Sequence, residues 1–251
     1  MSPQPTSLAV SPHPDDELLG PGATLMGLRD AGWRVVNLAC GLGRPDDRER
    51  RRGELLEACA RAGFELSVPD PLPELDGDPA EAQAALRELV AAALERTRAT
   101  LVVAPSPHDC HPAHELVARA VRDAVESRGA PLEVLLWSLW GELPFPTELT
   151  TFDARRLDEL RHALAAHAGE LARNRYERLL EHRAAAGAVL GPERVDGFGA
   201  KGIDAPFAEL LTRVAWDPDR RAWKLVGGAS AGADVGWWLH APSARSTLAA
   251  T

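Results

Sequence analysis

Residues 6–17, TSLAVSPHPDDE, place a short strand-like segment directly before a polar cluster. The first six of these residues centre on Leu-Ala-Val and predict a short strand buried in a sheet. The cluster His-Pro-Asp-Asp-Glu follows at the point where that strand ends. Ligands of open α/β sheets bind beyond the carboxyl ends of the strands. This stretch therefore predicts a buried strand that leads into a binding site.

Strand and helix patterns alternate from this stretch to about residue 140. The predicted strands are 6–11, 33–39, 64–68, 100–104 and 133–139, and the predicted helices are 23–31, 48–62, 78–96 and 113–127. The alternation predicts an α/β fold with a doubly wound, mostly parallel sheet flanked by helices. Residues 153–183 have the pattern of a long helical stretch. We expect residues 1–251 to form a single domain, with a smaller C-terminal extension from about residue 185.

The composition excludes several classes of protein. The chain of 251 residues is 45% hydrophobic and 26% charged, which is typical of a globular protein. Its net charge of −9 disfavours a nucleic-acid partner. No apolar run approaches the about 20 residues that span a bilayer, and residues 1–10 lack the features of a signal peptide. We therefore expect a cytoplasmic protein with no membrane partner.

The first polar cluster supplies one imidazole and three carboxylates. Packing so many acidic groups in one loop is unfavourable unless a cation neutralises them. His13 and Asp16 are three residues apart, so one turn can direct both side chains to one metal ion. Asp15 then points elsewhere and is free to accept a proton. We expect Glu17 to cap or support the loop.

The second cluster, HDCHPAH, spans residues 108–114 and contains three of the eight histidines of the chain. Pro112 suits the first position of a helix, which places His111 at the N-cap and His114 in the first turn. Asp109 is able to accept a ring N–H of a histidine and so fix its tautomer. For His108 an exposed or structural role is expected.

The two clusters together offer three metal ligands, His13, Asp16 and His114. Three protein ligands leave a position open for water, which is the catalytic rather than the structural zinc pattern. The donor set suits Zn²⁺ or another divalent metal such as Fe²⁺. No dinucleotide cofactor is expected, because Gly41-Leu-Gly43 lacks the rest of the binding motif.

The combination of a strand, His-Pro-Asp-Asp-Glu and a later His-Pro-x-His resembles the PIG-L/LmbE-like deacetylases. The resemblance implies a Rossmann-like fold and a zinc-dependent hydrolase that deacetylates N-acetylglucosamine conjugates. It also implies that His13, Asp16 and His114 hold the metal. In the same resemblance, Asp15 is the general base and His111 stabilises the oxyanion.

Other parts of the chain resemble this family more weakly. Asp109 matches an acidic residue that precedes the second histidine motif in some members and is assigned a catalytic role. Arg51 or Arg52 matches an arginine that touches substrate, and Leu164–His167 is similar to an Ala-x-His segment. Ala113 stands where the family commonly has Asp. Some sugar-specific members carry a tyrosine just before the second histidine motif. Tyr176, the only tyrosine of this chain, lies elsewhere.

These observations predict a zinc-dependent amide hydrolase acting on an N-acylated small molecule. Two alternatives stay open at this point. One is a metal-dependent phosphoesterase, and the other is a non-catalytic ligand-binding paralogue, favoured by Ala113. A homo-oligomer also stays open, because the C-terminal tryptophans 216, 223, 237 and 238 fit either the core or an interface.

Overall fold

The computed structural model describes residues 4–75 and 77–242. Within these residues the strands are β1 (Thr6–Ser11), β2 (Arg34–Ala39), β3 (Glu65–Ser67), β4 (Leu101–Pro105), β5 (Leu132–Trp137), β6 (Glu148–Phe152), β7 (Phe207–Asp217) and β8 (Ala222–Leu225). The α-helices are α1 (Asp16–Leu19), α2 (Gly22–Asp30), α3 (Arg48–Ala62), α4 (Pro79–Thr97), α5 (Pro112–Ser127), α6 (Ala154–Leu164), α7 (Ala168–Arg173), α8 (Tyr176–Asp196) and α9 (Gly236–His240).

All of the strands belong to one sheet, in the order β3-β2-β1-β4-β5-β7-β6, with β8 paired to β7. The first five strands in this order are parallel, whereas β7 runs antiparallel to β5, β6 and β8. The predicted fold class, a mostly parallel α/β sheet flanked by helices, is confirmed. The strand order reverses between β1 and β4, so the loops that follow these two strands border the same crevice.

Helices cover both faces of the sheet. On one face Leu8 and Val10 of β1 pack with buried residues of α4 and α5. On the other face Ala9 packs with buried residues of α2, α3 and α6. Because neighbouring residues of a strand point to opposite faces, a nearly unbroken apolar run is what a two-sided core requires.

Two helix ends are stabilised by residues with the local chemistry that such ends require. The Asp78 carboxylate accepts the backbone N–H groups of Ala80 and Glu81, at 2.9 and 3.0 Å, and so caps α4. Gly63 ends α3 with a φ of 72°, a left-handed conformation in which glycine has no steric penalty.

Residues 153–183, predicted as a long helical stretch, are mostly helical but belong to three helices. The chain forms α6, α7 and the start of α8 there, with breaks at residues 165–167 and 174–175. At the first break the chain turns His167 into the core, where its ring is fully buried beside Glu17. A helix continuing through residue 167 would have to give up this contact.

The C-terminal region joins the same sheet through β7 and β8. The sequence did not predict these strands or β6. Three of the four C-terminal tryptophans, Trp216, Trp223 and Trp238, are buried in the core, and Trp237 is exposed. None of the helices in the described part of the chain has the length and apolar character needed to cross a lipid bilayer.

Candidate active site

The loop after β1 bends sharply to present its polar side chains. Asp15 has a φ of 103°, and α1 begins at the next residue. The backbone N–H of His13 donates to Oδ2 of Asp16 at 2.9 Å, and Nδ1 of His13 lies 3.1 Å from the same oxygen. The turn therefore brings His13 and Asp16 together, as their spacing predicted.

The loop after β4 delivers the second cluster to the same crevice. α5 begins at Pro112, with His111 at the N-cap position and His114 buried in the first turn. Nε2 of His114 lies 3.3 Å from Nδ1 of His13 and 3.3 Å from Oδ2 of Asp16. Side chains that are 101 residues apart in sequence thus meet at one point.

The three facing atoms of His13, Asp16 and His114 form a nearly equilateral triangle with edges of 3.1, 3.3 and 3.3 Å. A tetrahedral ion with ligands at about 2.1 Å would have edges of about 3.4 Å. Two imidazoles and one carboxylate are also donors that suit such an ion. This triangle therefore fits one face of a tetrahedral metal site.

A looser set of donors includes His111. The ligand atoms of His13, His111 and His114 also all lie within 4.8 Å of one another, so these three histidines form a second, overlapping set of metal-capable side chains. The His-rich site is therefore present. The shorter edges of the triangle favour Asp16 over His111 as the third ligand.

The pKa values of the triangle residues depend strongly on one another. Burial opposes the charged form of His114, but Asp16 and Asp109 outweigh it and raise the pKa of His114 to about 10. Burial likewise disfavours the Asp16 carboxylate, but His114 and His13 hold its pKa well below its usual range. The protein therefore places positive charge against the Asp16 carboxylate, as a cation would.

Asp109 is fully buried and orients His114. Its Oδ2 lies 2.6 Å from Nδ1 of His114, which directs the Nε2 lone pair of a neutral ring toward the triangle. Its Oδ1 accepts hydrogen bonds from the Ser138 hydroxyl and from three backbone N–H groups, those of residues 139–141. Asp109 is not among the residues that line the cavity, and its contacts are those of a residue that positions His114.

Asp15 lines a cavity of about 380 Å³ beside the triangle. Burial, together with the charges of Asp16 and Glu17, raises its pKa well above the usual range, while Arg51 acts in the opposite direction. Arg51 also lines the cavity and donates to the carbonyl of Pro14 at 3.2 Å. Arg52 is exposed and is not among the lining residues, so the structure places Arg51 at the site.

His111 lies at the edge of the triangle, with its ring centroid 4.5 Å from that of His114 and 4.9 Å from that of His13. Burial and the two neighbouring histidines lower its pKa to about 4, so its ring is neutral near pH 7. Its Nδ1 is buried without a hydrogen-bond partner among the described residues. A neutral ring is able to stabilise an oxyanion only as a hydrogen-bond donor and not through a positive charge.

Several cavity residues were not predicted from the sequence. Tyr176, which is remote from the histidine motif in sequence, lines the cavity together with Glu170 and Arg173. These residues belong to α7 and α8, whose boundaries the sequence pattern did not resolve. His108, by contrast, bonds to the carbonyl of Trp238 at 2.7 Å and does not line the cavity.

The fold and the triangle together define a Rossmann-like α/β domain with a candidate metal centre at the reversal of strand order. Residues 8–125 match the model of the PIG-L family, described as GlcNAc-PI de-N-acetylase. Over this segment the chain is similar to the PIG-L family, and the predicted resemblance is confirmed. No curated protein sequence matches the chain significantly.

Solved structures share the fold over most of the chain. The A40926 pseudoaglycone deacetylase superposes with a TM-score of 0.64 at 21% identity, covering 89% of this chain and 98% of its own. The conserved protein TT1542 from Thermus thermophilus has a TM-score of 0.63 at 26% identity, with 82% and 92% covered. The 4-carboxy-2-hydroxymuconate hydratase from Pseudomonas putida KT2440 has a TM-score of 0.61 at 16% identity, with 84% and 96% covered. Because a deacetylase and a hydratase share this fold, the reaction has to be argued from the site.

Proposed function

We propose that the protein is a metal-dependent hydrolase that removes the acyl group from an N-acyl amino sugar or a related small-molecule conjugate. The observation that carries the proposal is the triangle of His13, Asp16 and His114 beside the carboxyl group of Asp15. The similarity to the PIG-L family and the fold shared with the A40926 pseudoaglycone deacetylase support the same reaction.

In this proposal His13, Asp16 and His114 hold the metal. Zinc is the metal that the donor set favours, and Fe²⁺ is a second candidate. A zinc ion would supply Lewis acidity to the amide carbonyl and would make water a stronger nucleophile near neutral pH. Asp109 serves this site by fixing the ring orientation and tautomer of His114.

Asp15 transfers a proton from the attacking water to the departing amine. As the water oxygen attacks the amide carbonyl carbon, the Asp15 carboxylate takes the proton of the water. The C–N bond then breaks, and the same proton passes to the departing amine nitrogen. A pKa raised by burial and by neighbouring carboxylates suits this role, because it makes the Asp15 carboxylate a stronger proton acceptor than an ordinary aspartate.

His111 stabilises the tetrahedral intermediate as a neutral donor. A ring N–H directed at the developing oxyanion lowers the barrier without a full positive charge, and such donors contribute about 3–4 kcal/mol. The low pKa of His111 supports this version of the oxyanion role over one that requires an imidazolium.

The phosphoesterase alternative is less well supported. Two-metal phosphoesterases place their ions about 3.5–4 Å apart and clamp both the attacking and the leaving oxygen. In the described residues the two overlapping sets of metal-capable side chains share His13 and His114 and so supply one metal position. The ligand-binding paralogue is distinguished from the hydrolase by turnover alone.

An amine-release assay tests the proposal. The metal-loaded protein is incubated with a panel of N-acylated amino sugars, a phosphate monoester and an unsaturated carboxylic acid, with and without a chelator. We expect amine release from the sugars that the chelator abolishes. Asp15→Asn, which suits the left-handed backbone better than alanine, should keep the metal and lose roughly 10²–10⁴-fold in rate. Phosphate release, hydration of the acid or sugar binding without turnover would each overturn the proposal.

A further inference from the structure

Trp140 is a partly exposed residue of the candidate active site. Its side chain lines the same cavity as Asp15 and His111, and the residue is 48% exposed. An indole presents a large flat apolar surface. A ligand that enters the cavity is able to cover this surface.

The backbone around Trp140 is held in place from two sides. Oδ1 of Asp109 accepts the N–H groups of Leu139, Trp140 and Gly141, at 2.7, 2.9 and 3.0 Å. Arg183 donates to the carbonyl of Leu139 at 3.0 Å. These contacts involve backbone atoms, so they do not depend on the indole side chain. The backbone that carries the indole is therefore ordered before any ligand binds, which reduces the entropic cost of binding.

The close packing of Gly141 fixes the loop further. A Cβ atom at this position would lie 2.8 Å from the carbonyl oxygen of His108. Only glycine allows this approach of the Trp140 loop to the loop that carries the second histidine motif.

The indole of Trp140 neighbours the ring of His111, which in turn neighbours the triangle. Its centroid is 6.3 Å from that of His111, with 30° between the two ring planes, and His111 in turn lies 4.5 Å from His114. In an N-acyl amino sugar, the amide nitrogen is bonded directly to a carbon of the pyranose ring. When the carbonyl group is at the triangle, the sugar ring is thus adjacent to it, within the region that Trp140 borders.

We propose that Trp140 is the stacking platform for the pyranose ring of the substrate, with the apolar C–H face of the ring against the indole. This inference rests on the proposed function and specifies which part of the substrate is recognised. A flat indole selects a ring over a flexible chain, because a pyranose chair offers a continuous apolar face without further loss of conformational freedom. Trp140 then acts on substrate affinity and selectivity.

Two substrates of different shape test the platform. One is the methyl glycoside of N-acetylglucosamine, and the other is acyclic N-acetylethanolamine. Trp140→Ala should raise KM for the glycoside by about tenfold, leave KM for the acyclic amide within about twofold and leave kcat for both near the wild-type value. Trp140→Phe should recover part of the glycoside affinity. Trp237→Ala is the matched control, because Trp237 is also exposed but is not among the cavity residues.

The possible outcomes distinguish a failure of the proposed stacking role of Trp140 from a failure of the proposed function. An unchanged KM for the glycoside, or equal losses for both substrates, overturns the platform even when the wild type releases amine from both. If the wild type releases amine from neither compound, the panel of N-acylated amino sugars decides the proposed function. Calorimetry with the metal-loaded protein and the glycoside then decides the platform: weaker binding by Trp140→Ala supports it, and equal binding overturns it.

Discussion

Nε2 of His167 lies 2.9 Å from Oε1 of Glu17, and both side chains are fully buried. The other carboxylate oxygen of Glu17 accepts the backbone N–H of Asp15 at 3.0 Å. Asp15 has a left-handed backbone conformation, which costs a non-glycine residue roughly 1–2 kcal/mol. Glu17 and His167 therefore form a buried support that keeps the Asp15 carboxyl group in the cavity.

His167→Ala should reduce kcat without removing the metal. The substitution takes away the hydrogen-bond partner of a buried carboxylate, so Asp15 is held less firmly, and we expect a loss of roughly 10–100-fold. Metal content by elemental analysis should match the wild type, and His167→Gln should restore part of kcat. His182→Ala changes an exposed histidine and serves as the control. Unchanged kcat in His167→Ala would show that the support is not needed for Asp15.

His114→Ala and His111→Ala should differ in metal content. His114 belongs to the 3.1–3.3 Å triangle, so its removal should reduce bound metal to a small fraction of one ion per chain. His111→Ala should keep nearly one ion and lose about 10²–10³-fold in rate, as expected for one lost oxyanion donor. Elemental analysis of the purified variants checks both. If His111→Ala loses the metal while Asp16→Ala keeps it, the three-histidine set is the correct one.

The sequence predicted the parallel half of the sheet because buried parallel strands are short and nearly continuous in apolar residues. The strands that it missed have a different physical character. In β6, four of five residues are partly or fully exposed, and β7 mixes buried with partly exposed positions. Such strands are specified by their pairing with β5 and with each other, which the local sequence does not reveal. The pairing of β7 with β5 supports our proposal of a single domain.

The candidate active site, like the sheet, was predicted from the sequence only in part. His13, Asp16 and His114 were predicted because each lies next to the carboxyl end of a strand, and the topology of the sheet brings such ends together. Tyr176 was set aside because it is far from the second motif in sequence. α7 and α8 nevertheless place it at the cavity. Which distant helix closes a cavity depends on tertiary packing, and sequence spacing carries little information about it.

Ala113→Asp should raise the pKa of His111 from its value of about 4. The substitution adds a carboxylate two residues from a ring whose buried Nδ1 has no partner in the described part of the chain. An anion close to the ring stabilises the imidazolium. NMR titration of the His111 ring protons measures the shift directly, with Ala113→Asn as the neutral control. Equal pKa values in the Asp and Asn variants would show that residue 113 does not reach His111.

Glu209 makes the stability of the fold depend on pH away from the candidate active site. Its carboxylate accepts the backbone N–H groups of Ala23 and Thr24, at 2.7 and 2.8 Å, at the start of α2. Although the residue is partly exposed, burial of the carboxylate outweighs these hydrogen bonds and raises its pKa to about 7.

Between the unfolded pKa of about 4.5 and the folded value of about 7, the folded state holds a proton that the unfolded state has released. The free energy of unfolding from this group is therefore largest below pH 4.5 and falls as the pH rises through 7. We expect a decrease of about 1–3 kcal/mol between pH 5 and 8. Glu209→Gln should remove that decrease, whatever its effect on absolute stability. Urea unfolding of both proteins across this range measures it, and parallel pH profiles would show that Glu209 ionises normally in the folded state.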